Sequence, residues 1–474
     1  MADPHLSEPD SFTLHLERDP LLRSTIVAVA VFDRPPDWDR FAESLERATR
    51  LESNFRRRLV PGPNPFVPAR WVDDPAFDLS WHLRRVAVPS PGTLDEVVEF
   101  ARVAGTTAFD PVRPRWEFTL MEGMADGRAA LVMKVHHALT DGIGGIQIAG
   151  HVVDLDREGT TRLPVPPPPP GPSDEPVERV VDAARYRLGR SVDIATGVVR
   201  QVPEALRTVA RRPLGVPEEL GRAVMSVVRF VRPVTNTLSP VMQERRLGWR
   251  YQELQVPLAP LKAAAKLADG RMNDAFLAGV GGGFARYHRR HGTTVPSLRV
   301  TMPISTRTED DPAGGNRVTL VRFEIPVDEQ NAVSRMLAIH HTTSEWRGEP
   351  AVGWAEGIAG ALNLLPTSVS AGMLKHVDLV ASNVPGFDMP VYVAGARLER
   401  FIPFGPTLGT AANVVLMSYV DHCDIGLTTD IGAVEDPEVL RECLVESFEE
   451  LVRLGTAAPQ ERRTAPNRPK RRSG

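Results

Sequence analysis

One cluster of residues in this sequence has the types and spacing needed to move protons. His136 and His137 are adjacent, and Asp141 and Gly142 follow in the stretch LVMKVHHALTDGIGGIQIAG. Imidazole is the side chain whose ordinary pKa lies nearest neutrality, so it can take a proton from a hydroxyl or thiol and return it in each turnover. One of the two histidines is therefore a candidate general base. Asp141 could orient an imidazole or hold the loop by an ion pair.

The elements around these residues decide what each histidine can do. Leu131 to Val135 is a short apolar run that predicts a strand, and Asp141 and the glycines break the pattern before a second apolar segment that predicts a helix. Neighbouring side chains of a strand point to opposite faces, so the two rings cannot both enter one cavity. A metal site is disfavoured for the same reason, because ligand sets need three or four convergent donors. A pair of hydrogen-bonded core histidines remains the structural alternative.

Length and composition narrow the class of protein. The 474 residues are enough for two domains, and 42% apolar and 24% charged residues are typical of globular proteins. There is no apolar run of the roughly 18 residues that a spanning helix needs, and the N-terminus does not resemble a secretory signal, so we expect a cytoplasmic protein. A net charge of −4 argues against nucleic-acid binding. We expect Cys423 and Cys443 to be ordinary buried thiols.

The distribution of proline and arginine predicts the domain organisation. We predict an N-terminal half over 1–162, a second half over 251–458, and a disordered basic tail over 459–474. Between the halves, 163–250 begins with the proline-rich stretch LPVPPPPPGPSDEP, which predicts a crossover linker. The rest of this segment, from Val177 to Arg250, contains fourteen arginines and no lysine. Basic amphipathic helices here could contact an anionic membrane or lipid-droplet surface, or could pack on their own domain.

Several motifs carry a family resemblance. The pattern HHxxxDG from His136 to Gly142 resembles the active-site signature of the acyltransferase superfamily with the chloramphenicol acetyltransferase fold. Further motifs resemble the bacterial wax ester synthase/diacylglycerol acyltransferase family; they are Asn273-Asp274, Asn316-Arg317 and the run from Ser382 through Asn383 to Gly386. Two positions depart from that family pattern. Arg115 stands between Pro114 and Trp116 where leucine is usual, and Phe387 replaces a frequent proline.

The resemblance implies both a fold and an activity. It implies an α+β protein made of two chloramphenicol acetyltransferase-like α/β sandwich halves with mixed sheets, and an active-site channel at their interface. The reaction it implies is transfer of a fatty acyl group from coenzyme A to diacylglycerol or a long-chain alcohol. His137 would then be the general base, His136 would pack the loop, and Asp141 and Gly142 would support it. The expected partners are fatty acyl-CoA as co-substrate and the lipid acceptor, with no other cofactor and no metal.

The thioester oxygen also needs a hydrogen-bond donor during the reaction, because it becomes negatively charged. Asn273, Ser382 and Asn383 are the candidates, since their motifs come from the second half. Asp274 would support Asn273, and one of these two residues is predicted to be the N-terminal cap of a long helix. Gly142 would allow a backbone conformation that a β-carbon hinders.

Two rival functions remain open. The first keeps the fold but uses another acceptor, such as an amine or a polyketide hydroxyl, with the acyl group delivered by a carrier protein. The second is an inactive homologue that binds acyl lipids.

Four further expectations concern packing. If Arg115 points inward it must find a partner, because an unpaired buried charge is costly. Trp116 is expected to pack rather than bind. Gly279 and the glycines from Gly281 to Gly283 are expected to let helices approach closely, not to bind phosphate. The pair His340 and His341 lies in a polar helical stretch and is expected at the surface.

Overall fold

A computed structural model describes most of the chain. The described residues are 5–63, 67–140, 142–159, 236–305, 318–328, 331–347 and 374–458, with a few isolated positions such as Tyr186 and Val234. Asp141 lies outside them, and so do Asn316 and Arg317, most of the segment 163–235, and the tail 459–474. The predictions for the proline-rich linker, for most of the arginine-rich segment and for the tail therefore stay predictions.

The first part of the chain alternates strands and helices. Its helices are α1 Glu8–Leu16, α2 Trp38–Leu51, α3 Leu79–His82, α4 Leu94–Thr106 and α5 Gly142–Ala149. Its strands are β1 Thr25–Phe32, β2 Arg57–Val60, β3 Arg70–Asp73, β4 Leu83–Ala87, β5 Trp116–Glu122 and β6 Ala129–His136. The strand, loop and helix predicted around the histidine motif correspond to β6, the turn after it, and α5.

The second part has the same mixed composition. Its helices are α6 Leu258–Lys266, α7 Met272–Arg290, α8 Ala332–Arg347 and α9 Pro437–Ala457. Its strands are β7 Trp249–Pro257, β8 Ser297–Ser305, β9 Val318–Pro326, β10 Leu379–Pro385, β11 Tyr392–Val393, β12 Ala396–Phe404, β13 Ala412–Tyr419 and β14 His422–Asp430.

Two six-stranded sheets form the framework. The first has the order β11-β12-β1-β6-β5-β4, and the second has the order β7-β14-β13-β10-β8-β9. Strand β4 is parallel to β5, and β10 is parallel to β8 and β13, while the other pairs are antiparallel. Both sheets are therefore mixed, which confirms the predicted α+β class.

Two strands of the second half, β11 and β12, belong to the first sheet. Strand β12 pairs with β1, so that Ile402 lies opposite Val29, and β12 also contacts β13 and β14 of the second sheet. The contact is very close at Gly426 of β14, where an added β-carbon would overlap the carbonyl oxygen of Pro403. A boundary at residue 251 therefore does not separate the strands of the two sheets, because the segment 392–404 belongs to the first one.

Helix α7 is the central helix of the second half. It begins at Met272, with Asp274 at its third position accepting the backbone N–H of Arg271 at 2.7 Å, so neither Asn273 nor Asp274 is the cap residue and that prediction is wrong. Its glycines allow close packing, as predicted. A β-carbon on Gly279 would collide with the ring of Phe448 in α9, and one on Gly283 would collide with Leu444.

Both cysteines are buried, as expected. Cys423 lies in β14 and Cys443 in α9, and each is a free thiol in the core of the second half. Burial raises the pKa of the Cys423 thiol to about 12. Its reactive thiolate form is therefore scarce at neutral pH.

Among the helices of the described ranges, none combines the length and the apolar character needed to cross a membrane.

Candidate active site

The two histidines lie where strand β6 ends. His136 is the last residue of β6 and is the register partner of Thr25 in β1. One residue further on, the backbone N–H of His137 donates to the carbonyl oxygen of Ser24 at 3.0 Å. The position of the motif is thus set by the start of β1 as well as by β6.

The two imidazole rings have different surroundings. His136 is 1% exposed, and its Nδ1 accepts the backbone N–H of Ala138 at 3.0 Å. Because Nδ1 is an acceptor, the ring proton is on Nε2, which lies 2.9 Å from the Glu17 carboxylate. The second ring, His137, is only partly buried. This difference fits the alternation of strand side chains and leaves His137 as the less buried of the two rings.

Glu17 joins the first histidine to an arginine. Its Oε2 lies 3.4 Å from Nη1 of Arg115, and both side chains are largely buried. The expectation that Arg115 finds a partner is confirmed. Burial would by itself raise the pKa of Glu17, but the contacts with His136, with the N–H of Ser24 and with Arg115 lower it below its ordinary value. Burial lowers the pKa of Arg115, and Glu17 opposes that shift.

Helix α5 brings the motif against the second half. Ile146 of α5 packs against an apolar group formed by Val384, Val415 and Met417 on β10 and β13. The loop that contains His137 therefore lies at the seam between the two sheets. Gly142 is the first residue of α5, and its supporting role stays a prediction.

Two of the predicted donors lie on opposite faces of strand β10. Val384 belongs to the apolar group that packs against Ile146 of α5, and Ser382, two residues earlier, is on the same face of the strand. Asn383 is on the other face, where its side-chain N–H donates to Oδ1 of Asn273 in α7 at 2.5 Å. Ser382 is thus directed toward the half that carries His137, whereas Asn273 and Asn383 are joined to each other.

Asp274 is fully buried behind Asn273. It accepts the hydroxyl of Thr343 at 2.8 Å and lies 2.8 Å from Nδ1 of His340, both in α8. The side chain of His340 is 31% exposed, so it lies partly at the surface as predicted, but its contact with the buried carboxylate was not predicted. His341 has a side chain that is 77% exposed, so the same prediction is confirmed for it.

The two aromatic positions discussed with the family pattern are packing residues. Trp116 is 0% exposed, its indole N–H donates to the carbonyl of Phe55 at 2.8 Å, and its ring stacks on His82 at a centroid distance of 4.6 Å. The expectation for Trp116 is confirmed. Phe387 packs against the core of the first half, and its carbonyl accepts the N–H of Val420 at 2.9 Å. This departure from the family pattern therefore adds apolar contact at the seam.

Sequence reasoning missed Glu17 and Ser24. Neither belongs to a motif, and both lie more than a hundred residues before the histidines they contact. The only signal was indirect, because an arginine at 115 in an apolar context required an acidic partner. As to metals, within the part of the chain that the structure describes no group of three or more His, Cys, Asp and Glu side chains could hold an ion.

Comparisons with known proteins agree with this geometry. Residues 6–276 match the family model of the wax ester synthase/diacylglycerol acyltransferase catalytic domain, and residues 314–452 match that of the WS/DGAT C-terminal domain. A protein of Mycobacterium tuberculosis strain H37Rv, named a diacylglycerol O-acyltransferase, is 36% identical over 96% of this chain and 94% of its own length. A second one from that strain, tgs1, is 27% identical over 95% and 96%.

Solved structures show the same fold. The wax ester synthase/diacylglycerol acyltransferase from Marinobacter aquaeolei VT8 is 21% identical, covers 95% of this chain and 99% of its own, and superposes with a TM-score of 0.63. The first condensation domain of the calcium-dependent antibiotic synthetase is 16% identical, covers 96% and 97%, and has a TM-score of 0.62. The chain thus belongs to the wax ester synthase/diacylglycerol acyltransferase family and is an acyltransferase.

Proposed function

We propose that this acyltransferase transfers a fatty acyl group from coenzyme A to a lipid hydroxyl and so makes neutral lipid. The product would be triacylglycerol from diacylglycerol, wax ester from a long-chain alcohol, or both. The observation that carries the proposal is the intact HHxxxDG motif at the seam between two sheets, in a chain whose relatives are named diacylglycerol O-acyltransferases. The position of α5 against β10 supports it.

His137 is the general base of this proposal. It takes the proton of the acceptor hydroxyl while that oxygen attacks the thioester carbonyl carbon. The tetrahedral intermediate then collapses, the bond from carbon to sulfur breaks, and the coenzyme A thiolate receives the proton back from the imidazolium. No acyl-enzyme is needed. His136 is unsuited to this role because it is 1% exposed and its ring faces Glu17.

The oxyanion requires a donor that faces the base. Ser382 is the strongest candidate, since it shares the face of β10 that packs against α5. Asn273 and Asn383 are engaged with each other across α7 and β10, so they would act less directly, by shaping the donor wall or binding substrate. Asp141, which the described residues do not include, keeps its predicted supporting role.

The acyl donor is proposed to be acyl-CoA, with no other cofactor. The starter condensation domain of rhizomide synthetase, 14% identical with a TM-score of 0.57, was solved in complex with C8-CoA. The same fold therefore accommodates an acyl-CoA in that protein. Cytoplasmic location and peripheral contact with a membrane or lipid droplet stay predictions, because the latter rests on an arginine-rich segment that is mostly outside the described residues.

The proposal is tested by product formation. Purified protein is incubated with palmitoyl-CoA together with diacylglycerol or, separately, hexadecanol, and the neutral lipids are separated and quantified. Triacylglycerol or wax ester above the level of a His137→Ala control supports the proposal. Product formed only from a palmitoyl carrier protein, or only with amine or polyketide acceptors, would favour the condensation-type rival. Tight acyl-lipid binding without product from any donor would favour the inactive homologue.

A further inference from the structure

The carboxylate of Glu17 contacts three groups behind the histidine motif. Oε1 accepts the backbone N–H of Ser24 at 2.8 Å. Oε2 lies 2.9 Å from Nε2 of His136 and 3.4 Å from Nη1 of Arg115. We call these four residues the Glu17 cluster. They come from four places in the chain: the residue that follows α1, the residue that precedes β1, the residue that precedes β5, and the end of β6.

The same residues also hold the backbone of both histidines. The carbonyl of Ser24 accepts the N–H of His137 at 3.0 Å, and the carbonyl of Arg115 accepts the N–H of His136 at 3.0 Å. Glu17 therefore reaches His137 through Ser24 and reaches His136 both directly and through Arg115. A shift of the carboxylate would be transmitted to the loop that carries the base.

We propose that Glu17 is a positioning residue of the active site, which fixes the His137 loop through Ser24 and His136 while Arg115 balances its charge. The inference rests on the proposed function, because it takes His137 as the base. In this role Glu17 does not contact the substrate. Small displacements of a base matter because catalysis requires its nitrogen within hydrogen-bond reach of the hydroxyl.

Charge balance makes the cluster sensitive to single substitutions. Removing one member of a buried ion pair leaves the other charge without compensation, whereas removing both charges together is often tolerated. Within the described part of the chain, the titratable side chains in contact with Glu17 are Arg115 and His136. Lys134, two residues earlier on the same face of β6, is paired with Glu117. The electrostatic effect of Glu17 is therefore exerted mainly on Arg115 and on the histidine motif.

The test compares two single variants with the double variant. Glu17→Gln keeps a carbonyl for Ser24 but removes the charge, and Arg115→Met removes the opposite charge with similar volume. We expect each single variant to lower kcat about 10- to 100-fold with KM within about twofold, as for a misplaced catalytic group. The double variant Glu17→Gln/Arg115→Met should recover most of kcat. The matched control is Glu122→Gln/Arg85→Met, which removes an exposed ion pair between β4 and β5 and should leave kcat unchanged.

The pH profile separates positioning from a merely structural role. Without the negative charge of Glu17, protonation of the His137 imidazole is less favourable. The acid limb of the pH profile of kcat should therefore move to lower pH in Glu17→Gln. Arg115→Met should move it to higher pH, and the double variant should return it toward the wild type. Lower melting temperatures with an unchanged kcat per folded enzyme and unmoved profiles would overturn the inference. So would a double variant as impaired as the two single variants combined.

A further variant shows which proposal has failed. If His137→Ala retained activity, the base assignment itself would be wrong, whatever the Glu17 variants did. If His137→Ala were inactive and Glu17→Gln behaved like the control pair, only the positioning role would be lost. Every variant is assayed as the full chain, with circular dichroism and melting temperature measured on the same sample.

Discussion

The two sides of the seam hold their residues in different ways. On the side of the first half, the loop of His137 is fixed by charges, with Glu17 between His136 and Arg115. On the side of the second half, Asn273 and Asn383 are joined by a neutral amide contact. The buried carboxylate of Asp274, next to Asn273 in the chain, turns away toward Thr343 and His340.

This difference matches what each side would have to do in the proposed reaction. The first side would hold a base that gains and loses a proton, and a nearby carboxylate balanced by an arginine can steady that loop without a large net charge. The second side would meet the negative oxygen of the intermediate. Neutral donors serve there, because a carboxylate facing the oxyanion would repel it. Hydrogen bonds to α8 keep Asp274 from doing so.

The largest effect should come from removing the base. His137→Ala should lower kcat by about 10²- to 10⁴-fold, since general-base catalysis contributes that much, while the melting temperature stays near the wild type. The matched control is His341→Ala, whose side chain is 77% exposed and should leave activity unchanged. If His137→Ala were active, His137 would not be the base, and the first half could not be assigned the base and the second half the oxyanion donor.

The next largest effect concerns the oxyanion donor on the second half. Ser382→Ala should lower kcat by about two orders of magnitude, as expected for loss of an oxyanion donor. Asn383→Ala should lower it less, because that side chain faces Asn273 rather than α5. The control is Ser297→Ala at the exposed start of β8, whose hydroxyl contacts Glu324. If Asn383→Ala lowered kcat more than Ser382→Ala, the oxyanion donor would lie on the face of β10 that meets α7.

The sequence predicted well what is encoded locally. Apolar spacing placed the strand and helix around the histidine motif, and alternation along a strand correctly separated the environments of His136 and His137. The helix-packing role of Gly279 and Gly283 also followed, because a glycine run inside a helical pattern leaves room for a neighbour. Each of these features depends on residues within a few positions of one another.

Contacts between distant segments could not be predicted in this way. Nothing local marks β12 as a strand of the first sheet, because pairing with β1 depends on where the chain returns after β10. The contact of His340 was missed for the same reason, since its partner Asp274 lies 66 residues away. The charge of Arg115 indicated that an acidic partner must exist, but not that it would be Glu17.

A smaller effect, on stability, should follow at Asp274. Asp274→Asn keeps the shape of the side chain but replaces one carboxylate oxygen by an amide NH2 group, which cannot accept a hydrogen bond. The donors that face the carboxylate are the backbone N–H of Arg271, the hydroxyl of Thr343 and the ring of His340. We expect a loss of about 1 to 3 kcal/mol in the free energy of unfolding. The measurement is urea unfolding beside the exposed control Asp328→Asn. An unchanged midpoint would show that the buried carboxylate does not hold α7 against α8.

The smallest effect is the pH dependence of stability on the charged side. The pKa of Glu17 is lowered in the folded protein, so its contribution to stability is present above its ordinary value near 4.5 and is lost as pH falls through the folded value. Protonated Glu17 resembles the neutral amide of Glu17→Gln. The difference in melting temperature between wild type and Glu17→Gln should therefore be largest at neutral pH and shrink on acidification below about 4.5. Asn383→Ala removes a contact between two neutral amides, so its difference in melting temperature from the wild type should not change over the same range. Equal pH responses of the two variants would contradict the contrast between the two sides.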